Sequence, residues 1–510
     1  MPKQEDVTVV AEESEVTRLM ALDTTPWYQK PNLRFLYFCL VPAALGVEMT
    51  TGYDGSVLNG LQAVAAWQDH FGHPKGALLG VTSASYNLGG LFVLPIVPFV
   101  IDKIGRKHSI SFGSVILIIG TILQTCSVNI GMFLASRLLL GTGIPFAVSG
   151  ASQLLAELTY PRERPVISGL FNVSWFAGSI LAAGVTLGTY NIPNNWAWRI
   201  PSALQCAPSL LQLVFIWFVP ESPRWLIFKE RNEEALEILI KYHGEGDRDN
   251  AFVHAEYNEI HKQLRLELDN SKRRWRELLQ TTGNRKRVLI AMCMGVFSQW
   301  SGNGLVSYYL ARVLRTVGVE DKRTQNIVNL SLSCWSFLTS GACAFLARIL
   351  RRRVQYLTSF SCMVVVFATI TGVSAHFATS GEHAAAVAVV AMIFVYNASY
   401  NIMQPLLFVY ITEIFPFVHR AKGIAILQFF VRGSTAFNAF VNPIGLDALA
   451  WKFYLFYCVW LVVETTVIYF LYPETKGPTL EELAYLFEDK PKDLYHDEKD
   501  EIAPQAKSIP

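Results

Sequence analysis

The stretch "TTGYDGSVLNG", Thr50 to Gly60, sets a carboxylate, Asp54, between Gly52 and Gly55, directly after the apolar run "FLYFCLVPAALGV". An ionised aspartate near a bilayer centre costs about 2.5–3.5 kcal/mol on insertion scales, so such a residue faces a protein interior and marks a transport path. In another apolar region Gln299 and Asn303 stand one helical turn apart on a shared face, followed by Tyr308 and Tyr309. Asn172 interrupts a further run, and Asn397, Tyr400, Asn401, Gln404 and Phe408 another. Amides, hydroxyls and aromatic faces with few fixed charges are what a neutral polyol needs in a membrane cavity. The same amides could instead bond neighbouring helices, at roughly 0.6–2 kcal/mol each. No intramembrane set of His, Cys and carboxylate has catalytic spacing, which disfavours an enzyme. All eight cysteines fall in or beside apolar runs with no C-x-x-C pair, and they read as small core hydrophobes rather than metal ligands or disulfides.

Such residues need a lipid-compatible scaffold, and composition supplies one. Apolar residues make up 52% of the chain and charged residues 16%, against about 25% charged in an average soluble domain. The formal net charge of +2 is nearly balanced and no basic block interleaves with aromatics, so nucleic acid is not an expected partner. The polar, acidic start "MPKQEDVTVVAEESEV" has no apolar core of its own and predicts no cleaved signal peptide.

Twelve apolar segments approach the length of about 20 residues that crosses a bilayer. They are expected at 34–60, 78–101, 109–128, 132–155, 166–188, 200–219, 288–311, 327–347, 355–376, 385–412, 423–444 and 452–472. The expected class is an all-α polytopic membrane protein with twelve transmembrane helices in two six-helix halves. The division is a tail over 1–33, a bundle over 34–220, a hydrophilic helical insert over 221–287, a second bundle over 288–473 and a tail over 474–510.

Polar landmarks recur between the halves. Glu157 precedes Arg164 by seven residues, as Glu413 precedes Arg420; "PESPR" starts at Pro220 and "PETKG" at Pro473; "DKIGRK" at Asp102 answers "ARILRR" at Ala347. The three offsets fall between 245 and 256 residues, as a duplication requires. Lys and Arg concentrate in the loops after even-numbered spans, which predicts cytoplasmic termini and insert; the loop after span 7, with Arg312, Arg315, Lys322 and Arg323, is the exception. The sequons at Asn172, Asn329 and Asn397 fall inside expected spans and should not be glycosylated.

These landmarks, with "GYDGSV" in span 1, "SRLLLGTG" in span 4, "SQWSGN" and a tyrosine pair in span 7 and "PETKGPTLEEL" after span 12, resemble the sugar porters of the major facilitator superfamily over about residues 34–487. "NNWAWRIPSALQ" and "FSQWSGN" are most similar to the fungal lactose-permease and cellodextrin-transporter branch. The pattern departs from the family at Pro98, Ala347 and Leu350 in the loop motifs, at Ser298 and Gly304 in span 7, and at Asn172, Trp335 and Phe408.

The resemblance implies proton symport of a hexose or disaccharide by alternating access at the plasma membrane, by a monomer with no cofactor or metal. It pairs Asp54 with Arg137 of span 4 for proton coupling. It assigns substrate contact to Gln299, Asn303, Asn172, Tyr308, Tyr309, Gln404 and Phe408. It gives a cytoplasmic gate of ion pairs between the halves to Asp102, Arg106, Lys107, Glu157, Arg164, Glu413 and Arg420. A facilitative carrier or exporter of another small polar metabolite and a non-transporting sugar receptor are the alternatives. Glu48, on another face of span 1, has no expected partner.

Overall fold

The computed structural model describes residues 15–271, 275–316, 318–380, 383–415, 417–475 and 487. Its secondary structure there is helical throughout. Seven helices are long and apolar enough to cross a membrane, and Gly76–Val93 with Val97–Ile104, bent by 58°, forms an eighth candidate span. With the interrupted or partly described rods, the helices fall into twelve spans. In the N-terminal half these are Pro31–Leu61, the bent pair, Arg106–Thr125, Ile130–Leu158, Arg164–Thr189, and Trp196–Leu204 with Cys206–Ile216. In the C-terminal half they are Thr282–Trp300 with Asn303–Thr316, Lys322–Ile349, Arg352–Ser380, His383–Met403 with Leu406–Ile414, Phe417–Leu449 and Lys452–Leu471. Large apolar side chains such as Phe38, Phe99, Trp217 and Phe470 stand exposed on the outside. Such a belt suits lipid and would be a liability in water.

Four of the spans expected to be continuous are broken, each for a local backbone reason. Pro95 and Pro98 interrupt span 2, and Pro208 leaves the carbonyl of Leu204 without its helical partner in span 6. Gly302, at φ +99°, breaks span 7, and Pro405 breaks span 10. Gln299, Asn303, Tyr400 and Gln404 flank the span 7 and span 10 breaks.

Glycines set the closest helix approach. A Cβ on Gly52 would lie 1.8 Å from the Trp175 carbonyl oxygen, and one on Gly178 would lie 2.0 Å from that of Met49, so spans 1 and 5 touch through backbone. The halves meet along span 2 against span 11, where a Cβ on Gly80 would lie 2.5 Å from the Phe440 carbonyl oxygen, and along span 5 against span 8.

The insert contributes helices Pro223–Phe228, Asn232–Tyr242 and Ala251–Ser271 and a 3-10 turn, Trp275–Leu279. Leu239, Tyr242, Phe252 and Val253 share one buried cluster with Leu33, Leu36, Leu158 and Tyr160, which seats the insert on the N-terminal half. Beneath it His243 and Glu256 bond at 2.7 Å, with the second ring nitrogen of His243 3.3 Å from the Leu158 carbonyl oxygen. Glu245 accepts the first-turn amides of span 1, Asn32 at 3.0 Å and Leu33 at 2.9 Å. These amides have no partner inside their own helix.

Candidate functional site between the two halves

Hydrogen bonds join the halves from mid-depth to the end opposite the insert. Ser179 reaches Ser333 at 3.0 Å, the Asn59 amide donates to Asn329 at 3.0 Å, and that of Gln62 donates to the Tyr308 carbonyl at 2.9 Å. Farther out, Asp447 accepts from the Gly76 amide at 2.8 Å and from Arg312, which also reaches the Pro74 carbonyl at 3.4 Å. Arg315 reaches the Gln62 carbonyl at 3.3 Å. Two of the basic residues that broke the loop-charge pattern thus tie this end shut.

At the insert end two ion pairs, one in each half, join residues of the same half. In the first, Arg106 pairs with Glu157 at 3.2 Å, Glu157 accepts from Ser222, and the Glu221 carboxylate caps span 3 through the amides of Arg106 and Lys107. In the second, Arg352 pairs with Glu413 at 3.1 Å, Glu413 accepts from Thr475, and Glu474 caps span 9 through the amides of Arg352 and Arg353. The quartet is thus built twice. In this conformation Glu157 and Glu413 each pair within their own half rather than across, and Arg352, not Arg351, is the repeat counterpart of Arg106. Lys107 donates to the Val219 carbonyl at 2.9 Å, and Asp102, 60% exposed, stands 3.8 Å from Arg106. The side chain of Arg420 lies outside the described residues, as do those of Asn172 and Phe408.

Asp54 and Arg137 are both sealed, at 0% and 1% exposure. Arg137 donates to the main-chain carbonyl of Asp54 at 3.2 Å and lies 5.0 Å from the Tyr86 ring centroid. Neither carboxylate oxygen of Asp54 has a hydrogen-bond partner among the described residues. An ionised carboxylate so placed pays a desolvation penalty that the nearby Arg137 charge and the Gln205 side chain offset in part, whereas a protonated one avoids it.

The residues expected at the ligand separate by environment. Gln299, Asn303, Tyr308, Tyr400 and Gln404 keep partial exposure inside the bundle. Among the described residues the Gln299 amide bonds its neighbour Ser298 alone, at 3.3 Å, and Asn303 accepts from Ser307 at 2.8 Å. Gln404 accepts from Ser340 at 3.2 Å and Tyr400 donates to the Ser298 carbonyl at 3.0 Å. Tyr309 is fully buried and donates to the Ala439 carbonyl, so it belongs to the seal rather than to an open space. Asn397 and Asn401 bond Ser336 and Thr339 of span 8, the helix-bridging alternative. Sequence reasoning passed over Arg432, an arginine at the middle of span 11. Its signal was a lone intramembrane cation in "LQFFVRGSTAF". It is the electrostatic neighbour that Glu48 lacked, beside Tyr86 and Tyr308.

Twelve spans in two halves, shut at one end and lined with part-exposed polar groups at mid-depth, define a polytopic membrane carrier rather than an enzyme. Residues 38–487 match the family described as "Sugar (and other) transporter", and the chain belongs to that family, within the major facilitator sugar porters. The MFS-type transporter oryC of Aspergillus oryzae is 30% identical over 472 residues, covering 88% of this chain and 85% of that protein. The MFS-type transporter criB of Aspergillus cristatus is 28% identical, covering 86% and 90%, and a high-affinity glucose transporter of Kluyveromyces lactis 27%, covering 86% and 82%. The inward open conformation of the xylose transporter XylE from E. coli superposes with a TM-score of 0.73 at 22% identity, over 89% of this chain and all of that one. That likeness bears on the fold.

Proposed function

We propose that this chain is a proton-coupled secondary transporter that carries a small polyhydroxylated solute by alternating access, with Asp54 as the proton site. The observation that carries this reading is the separation of the Asp54 carboxylate from Arg137. With the far end shut and the gate pairs drawn back into their own halves, Arg137 is held by a backbone carbonyl and the ring of Tyr86. In the opposite state an ionised Asp54 would recapture the guanidinium, and protonation would release it. The loop charges favour a cytoplasmic insert and termini, and with that orientation the conformation described faces inward. The domain division at 34–220, 221–287 and 288–473, action as a monomer at the plasma membrane, and a hexose or disaccharide cargo of the lactose or cellobiose kind belong to the same reading. Gln299, Asn303, Tyr308 and Gln404 are its substrate contacts.

The experiment is uptake of labelled mono- and disaccharides in transporter-null cells, with and without a proton gradient. Uptake that ignores the gradient would make this a facilitative carrier in which Asp54 and Arg137 are structural. A second reading, a carrier of a charged polar metabolite, is favoured by Glu48 and Arg432.

A further inference from the structure

Glu48 stands at the middle of span 1 and Arg432 at the middle of span 11, in opposite halves, and both keep partial exposure inside the bundle. They are electrostatic neighbours, with Tyr86 and Tyr308 beside the guanidinium. Yet among the described residues neither side chain makes a hydrogen bond or an ion pair, and the Nε of Arg432 is buried without an acceptor. Gly90 gives the guanidinium room: a Cβ there would lie 3.0 Å from an Nη of Arg432, which reaches across to span 2 of the other half.

A guanidinium cannot discard its charge by losing a proton, so Arg432 needs an anion in any state from which water is excluded. Glu48 lies near but, among the described residues, does not bond it. Arg137, the other mid-bundle cation described, is already held and 1% exposed, so it is closed to a ligand. We infer that Arg432 anchors a carboxylate on the transported solute, with Glu48 accepting from its hydroxyls, so that the cargo is a sugar acid or similar polyhydroxylated monocarboxylate rather than a neutral sugar. The planar fork of arginine suits two carboxylate oxygens, and the neighbouring carboxylate of Glu48 disfavours a dianion such as a phosphate ester. This inference rests on the transport reading and puts a sugar acid in place of its neutral hexose or disaccharide at the same site.

The test uses the full-length protein in proteoliposomes and matched pairs that differ only in the terminal group: glucose with glucuronate, and galactose with galacturonate. At least one uronate should bind about tenfold or more tightly than its neutral partner. Arg432→Gln should lose about tenfold or more in uronate affinity and less than about threefold for the neutral sugar, with Arg432→Lys between them. A neutral sugar that binds as well as its uronate overturns the inference and leaves the transport reading standing. So do equal losses for both ligands in Arg432→Gln. If no member of either pair is bound or carried by folded wild type, both readings fall. Should Arg432→Gln fail to insert, the wild-type preference within each pair decides the question alone.

Discussion

Arg137 donates to the backbone carbonyl of Asp54, and among the described residues no hydrogen bond reaches the carboxylate of the same residue. One cation therefore has two acceptors on one residue, and under the coupling proposed above its choice between them would follow the proton. Asparagine at position 54 copies the shape and charge of the protonated acid but cannot cycle. Asp54→Asn should still bind solute and exchange it across a membrane, and should fail to accumulate it against a gradient. Counterflow and pH-driven uptake in proteoliposomes measure the two separately; solute-induced proton uptake surviving in the variant would remove Asp54 from the coupling.

Gln299 is part-exposed at the span 7 break, and its amide has only Ser298 for company. Gln299→Ala should insert normally and lose about 1–3 kcal/mol of solute binding. The half-saturation concentration of correctly inserted protein is the readout, and an unchanged value would discharge Gln299 from the site.

Glu413 holds Arg352 and Thr475 within its own half. Removing its charge should shift the balance of conformations more than the contact with solute, so Glu413→Gln should change turnover with a smaller change in affinity. An affinity loss equal to that of Gln299→Ala would place Glu413 at the ligand instead.

The Gly52 and Gly178 contacts leave no room for a methyl group on either helix. Gly52→Ala should force spans 1 and 5 apart and destabilise the protein by about 1–3 kcal/mol. Thermal unfolding in detergent would show it, and an unshifted midpoint would mean that these helices are free to separate.

His243 lies in the insert, outside the membrane. Burial works against its proton, but the adjacent Glu256 charge and hydrogen bond prevail over Arg164 and hold its pKa above the ordinary 6.5. The proton is bound more tightly in the folded protein. The stabilisation is therefore complete below 6.5 and is lost as pH rises through the raised value. Glu256→Gln should cost about 3 kcal/mol by stranding one partner of a buried pair, and should flatten this pH dependence. Melting curves across that range provide the check; equal slopes for wild type and variant would disconnect the pair from stability.

The spans and the duplication were legible because twenty-residue apolar runs and repeated polar landmarks survive in one dimension. The register of the repeat was not fully legible: matching "DKIGRK" to "ARILRR" aligns Arg106 with Arg351, whereas the first helix begins at Arg106 and the second one residue later than that alignment, at Arg352. Gate pairing could not be read from charge positions because an acid and a base at a helix end can pair within a half or across it, and conformation decides. The broken spans were signalled by Pro95, Pro208, Gly302 and Pro405, but hydropathy averages over them. Arg432 belongs to none of the repeated landmarks and shows in the sequence only as a single charge within an apolar run.

The cap that Glu245 places on Asn32 and Leu33 joins positions more than two hundred residues apart. On the ribosome the first span is made long before its cap exists, and its opening amides wait until six spans and the first part of the insert have emerged. Completion of the first half is therefore signalled by a soluble segment rather than by a membrane one. A chain cut between Pro220 and Glu245 would hold all six helices yet leave the first of them unfastened.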